Sequence, residues 1–140
     1  MKIYNLLLKE DDKKFLLAIQ RFNSLVDTHS NIRNSFIDCI TILESLFLDN
    51  ATDELRFRFS LIISFILNNK LKIKVNLNKV KKFYDIRSIL VHSGYSKDFK
   101  NETFYECLHY TRELLKWYLL NKKNRNDNFK KIIQLLKINS

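Results

Sequence analysis

This chain of 140 residues contains one glycine, Gly94, and no proline. A chain of that length ordinarily carries roughly ten glycines and seven prolines. Those residues make the tight turns that sheets require, glycine by accepting positive φ and proline by presetting φ. A chain without them turns seldom, so long helices joined by a few connectors are the fold open to it. Hydrophobic residues make up 46% and aromatics 13%, enough to build a core and too much for a disordered chain. The expectation is an all-α fold in a single domain over residues 1–140.

Helical periodicity predicts five or six helices. The first covers about 11–26, with Phe15, Leu16, Ile19, Phe22 and Val26 at helical spacing. Ser30 or Asn31 caps the second, which runs to about Leu48 with Ile37, Ile40, Phe47 and Leu48 on one stripe. Thr52 or Asp53 caps the third, at about 53–68. The stretch 69–76 reads as a connector. Its KLKIKVNL alternates as a strand does, but one strand alone has nothing to pair with. A fourth helix covers about 77–92. The fifth runs from Asn101 to about 122 with Phe104, Leu108, Thr111, Leu115 and Leu119 on one face, and a last one spans about 127–138.

The formal net charge is +10. Either a biased composition or attraction to an anion, most naturally nucleic acid, accounts for it. Lys70, Lys72, Lys74, Lys79, Lys81 and Lys82 follow one another with no acidic residue between them. Lys122, Lys123, Arg125, Lys130 and Lys131 form a second cluster, interrupted by Asp127. Cys39 and Cys107 lie among apolar neighbours at no metal-ligand spacing and read as core residues in a reducing compartment. No metal or cofactor site is expected. No apolar run nears the roughly 20 residues of a membrane span, and the N-terminal apolar run is too short for a signal peptide. The expected location is the cytoplasm, with no membrane partner.

Three charged residues stand where apolar ones are expected. Arg87 shares a helical face with Val80, Phe83, Tyr84, Leu90 and Val91. Glu44 has Ile37, Ile40, Phe47 and Leu48 at the same spacings, and Arg58 has Leu55, Leu61, Ile62 and Phe65. A charge on a core stripe must be paired or open into a polar pocket, because stranding it costs several kcal/mol. Glu44 is therefore expected to meet Arg58, Arg87 or both, as a structural ion pair or as part of a cleft. His92 follows Arg87 by five residues, a rotation of about 140° and a rise of about 7.5 Å, so the two share no ideal face. Gly94 is a natural left-handed terminator, which puts His92 in the last helical turn. There the free carbonyls favour an imidazolium, so a simple capping role competes with a chemical one.

The sequence Arg87-Ser88-Ile-Leu-Val-His92, with TILESLFLDNATDELRFRFSL at 41–61, KKFYDIRSILVHSG at 81–94 and the helix at 101–120, resembles the Apea-like branch of the HEPN superfamily. The resemblance spans about residues 15–120. It implies an antiparallel helical bundle that forms a homodimer, with the Arg-His motifs of two subunits facing each other. In many members it also implies metal-independent RNA cleavage, in defence or toxin–antitoxin settings. Arg87 and His92 are then the catalytic candidates, Ser88 takes the polar slot, and Glu44 and Arg58 match supporting positions. Where many relatives have His-Gly-Gly this chain has His92-Ser93-Gly94, and Tyr95 follows the histidine by three residues, not the two of the toxin-type pattern. RNA carries its own nucleophile, the 2′-OH. His92 is suited to proton transfer and Arg87 to holding the phosphate. Lys79, Lys81, Lys82, Lys122 and Lys123 would hold the RNA backbone. The competing readings are a non-catalytic RNA-binding or protein-interaction module, and an accessory subunit held inactive by a partner protein.

Overall fold

A computed structural model describes residues 10–27, 31–48 and 53–121. They form an all-α bundle of five helices: α1 (Glu10–Asp27), α2 (Ile32–Phe47), α3 (Leu55–Phe65), α4 (Leu77–Ser93) and α5 (Asn101–Asn121). Among the described residues there is no strand. The helix expected at 127–138, the Lys122–Lys123 pair and the caps considered at Ser30 and Thr52 lie outside the described residues.

The helix ends follow side-chain chemistry. The Asn31 side chain accepts the backbone N–H of Arg33 at 2.8 Å, and that of Asn76 accepts the N–H of Asn78 at 2.6 Å. Each satisfies a donor that the first turn of α2 or α4 leaves free. α3 starts otherwise. Glu54 precedes it in the left-handed region, φ 54°, and makes no capping bond. The cap expected at Asp53 is therefore not formed. α3 runs on into a single π turn, Ile66–Lys70. α4 ends at Gly94, φ 76°, whose N–H donates to the Leu90 carbonyl at 2.8 Å. This is the left-handed position that favours a residue without a Cβ.

The connector 71–76 keeps the alternation of its sequence without becoming a strand. Leu71, Ile73 and Val75 pack against the core, whereas Lys72 and Lys74 are exposed. The Asn68 side chain takes the place of a neighbouring strand. Its amide donates to the Val75 carbonyl at 2.7 Å, and its oxygen accepts the Val75 N–H at 3.1 Å.

α2 is the central element, packed against the other four helices. Phe36, Cys39, Ile40, Ile42 and Leu43 on it are sealed from solvent. Phe36 meets Phe99 at its beginning, and Phe47 meets Trp117 and Tyr118 at its end, so α2 and α5 run the same way. Cys39 and Cys107 are buried with free thiols; the hydrogen bond with Cys39, then burial, pushes the Cys107 thiol well above its ordinary value. α3 and α4 pair closely, with Phe59 against Tyr84 and Arg56 bridged to Asp85 at 2.6 Å.

The packing of α3 overturns one expectation. Phe59, Ser60, Ile63 and Ser64 face inward. The two serine hydroxyls donate back to the carbonyls of Arg56 and Ser60, which satisfies them in the interior. The stripe around Arg58 is split: Leu55 and Ile62 pack against the core, whereas Leu61 and Phe65 are about half exposed. Arg58 is exposed too and meets Asp53 at 3.7 Å. α3 is apolar on both faces, so apolar neighbours at helical spacing did not identify its core side.

Candidate active site

The motif Arg87–His92 occupies the last two turns of α4. Arg87 lies between α4 and α2, where its Nη2 is 3.3 Å from Oε1 of Glu44. The Tyr84 hydroxyl, one turn earlier, donates to Oε2 of the same carboxylate at 3.1 Å. The guanidinium lies 6.0 Å from the centre of the Tyr84 ring. Glu44 thus holds two donors from successive turns of α4. Its side chain retains 19% of its exposure and that of Arg87 retains 25%, so the pair stands at the edge of the interior with one side toward solvent. Burial first, then the Glu44 carboxylate, raises the Tyr84 phenol above its ordinary value. That keeps Tyr84 protonated and donating. The Arg87 Nε–H is buried and has no acceptor among the described residues.

His92 is exposed in the last turn of α4, as its distance from Gly94 predicts, and Ser88 is half-buried. Arg87 turns toward Glu44 on α2 and makes no hydrogen bond to His92, in keeping with the rotation between them. The Ser93 hydroxyl lies within hydrogen-bond distance of the carbonyls of Ile89, at 2.8 Å, and Tyr95, at 2.9 Å, and donates its one proton to one or shares it between them. Arg33 reaches over from α2 and donates to the Gly94 carbonyl at 2.9 Å.

Of the expected set, the fold brings Glu44 and Arg87 together and leaves Arg58 apart from both. Lys79 is engaged by Glu106, and that hydrogen bond is the main reason its ammonium is held above the ordinary lysine value. Lys82 is exposed and lines a pocket with Lys79 and Lys100. Tyr84 was legible only as a stripe neighbour of Arg87; its hydroxyl, on a buried ring, was the signal that a polar partner must be near. Arg33 had no signal, being 61 residues from its acceptor. The chain matches no protein-family model, no curated protein and no solved structure.

Proposed function

We propose that this chain is a metal-independent endoribonuclease of HEPN type that serves a defence or toxin-type role. The observation that carries the reading is the placement of the motif. Arg87 is anchored by Glu44, whose carboxylate the Tyr84 hydroxyl also holds, and keeps a quarter of its side chain toward solvent, and His92 is exposed at a helix end fixed by Gly94. A phosphate oxygen is the acceptor that suits an arginine so held. The 2′-OH attacks the adjacent phosphorus, its proton passes to an imidazole, and the 5′ oxygen leaves with a proton from a second one. The products are a cyclic phosphate and a free 5′-OH.

Two imidazoles call for two subunits, and the surface offers a place for the second. Phe57, Leu61 and Phe65 form an exposed apolar stripe along α3, where a monomer gains nothing from it. Leu61 and Phe65 also line a shallow pocket of about 240 Å³ with Asn68 and Leu77. On α4, Asp85, Ile89 and His92 share one face, and Asp85 is the residue that Arg56 of α3 holds. Arg56 and Asp85 bring the Phe57 end of the stripe to the half of α4 that carries His92, while Leu61 and Phe65 lie toward Leu77 at its start; a second copy seated at the Phe57 end is the arrangement that the two-imidazole mechanism calls for.

One observation favours a second reading. Arg87 is engaged by Glu44 and makes no hydrogen bond to His92. On that reading the chain is a non-catalytic RNA-binding or protein-interaction module, and Tyr84, Glu44 and Arg87 serve to lock α2 on α4. Incubating the protein with structured RNA and with DNA of the same sequence, in EDTA, separates the two. Cleavage of RNA alone, leaving cyclic phosphates, supports the nuclease; binding with a steep salt dependence and no cleavage supports the module.

A further inference from the structure

Beyond the end of α4 lies a cavity of about 450 Å³ that the motif does not use. Ile32 and Phe99, both packed on the core, contribute its apolar part, and Asn31, Arg33, Tyr95 and Asn101 its polar part. Tyr95 keeps 67% of its surface exposed, although Ser93 holds its backbone carbonyl in place. A broad exposed ring beside a cationic side chain is a ready stacking surface. Arg33 donates one Nη1 proton to Gly94 and has further donors available. The first turns of α2 and α5 begin at this cavity and add partial positive charge. Among the described residues no carboxylate lines it. A neighbouring pocket, by contrast, carries Asp98 and Glu106 beside its lysines.

We infer that this cavity is a nucleotide subsite for single-stranded RNA, with a base stacked on Tyr95 and its phosphate held by Arg33. The inference rests on the ribonuclease reading and adds to it where the strand lies next to the cleaved bond. Tyr95 follows His92 by three residues, so their Cα atoms are at most about 11 Å apart. The subsite therefore takes a nucleotide close to the scissile phosphate, and the stacking makes it tolerant of sequence.

The test uses labelled adenosine and uridine RNA hexamers and the full chain carrying His92→Ala, which prevents turnover. Adding Tyr95→Ala should weaken binding about 5- to 150-fold, whereas Tyr95→Phe, which keeps the ring, should bind within about 2-fold of the parent. Amide shifts on titration should gather at Arg33, Tyr95, Ser96 and Asn101. Equal binding with and without the Tyr95 ring, or shifts gathered elsewhere, overturns the subsite; if the wild-type chain still cuts RNA, the nuclease reading stands. Ring-dependent binding in a wild-type chain that never cuts supports the subsite and removes the nuclease. Failure of every variant to bind the hexamers overturns the subsite whatever the cleavage result.

Discussion

Glu44 accepts from two donors that belong to adjacent turns of one helix, and that sets what its removal does. Glu44→Ala leaves a guanidinium and a phenol without an acceptor at a site mostly closed to water. A loss of about 3 kcal/mol is expected, the low end for breaking a buried pair, because both side chains keep some exposure. Glu44→Gln keeps an acceptor and should cost less. Arg58→Ala removes an exposed pair at 3.7 Å and should change stability by no more than about 0.5 kcal/mol. Urea unfolding of the three variants checks this, and a large loss in Arg58→Ala would put the partner of Glu44 in the wrong place. The sequence led to Glu44 and Arg87 because a charge on a core-facing stripe must find an opposite charge. It misled at Arg58 because the apolar residues around it lie on both sides of α3, Leu55 and Ile62 on the core and Leu61 and Phe65 toward solvent.

The elements were legible where local chemistry decides them. Asn31, one of two caps considered, and Gly94 mark helix ends that residue type announces, whereas the cap at Asn76 was not singled out. The start of α3 was not legible, since Glu54 enters the left-handed region with no side-chain cap to signal it. Nor was the π turn, which depends on how 66–70 meets the connector. The KLKIKVNL stretch was read correctly as a connector, but its anchor, the Asn68 side chain, is a contact that periodicity does not encode. Asn68→Ala should therefore cost about 1–3 kcal/mol, by stranding the half-buried Val75 backbone groups. Hydrogen exchange should show faster exchange at 71–76 with α1 and α5 unaffected. Uniform loss of protection would mean that the connector is no separate unit.

At the scale of the molecule, two properties follow from what is buried and what is not. The exposed stripe on α3 predicts self-association: light scattering at micromolar concentration should give a dimer, and Leu61→Asp a monomer of unchanged helicity. A wild-type monomer would remove the two-subunit site. The second property is alkaline lability. Tyr84 and Tyr110, chiefly through burial, and Cys107, chiefly through its bond with Cys39, hold their protons above their ordinary values. The native state thus keeps protons that the unfolded chain releases at lower pH. The stabilisation is complete below the ordinary values, about 8.5 for a thiol and about 10 for a phenol, and is lost as pH rises past them. Melting temperature should be level from about pH 7 to 8 and fall above about 8.5, measured at high salt so that the net charge is screened. A rise across that range would contradict the direction of all three shifts. The all-α class was legible at this scale because scarce turn residues leave few alternatives. The exposure of Phe57, Leu61 and Phe65 was not, since the same apolar residues serve a core equally well.

The central claim is that His92 moves protons in RNA cleavage, and one paired measurement tests it most directly. Wild type and His92→Ala are assayed on structured RNA in EDTA, and the same samples are melted. Loss of a general acid–base group lowers the rate about 10²- to 10⁴-fold, whereas loss of a charge at a helix end costs only about 0.3–1 kcal/mol of stability. The account predicts cleavage by wild type, its near abolition in His92→Ala, and melting temperatures that nearly coincide. Equal cleavage by the two proteins would contradict it.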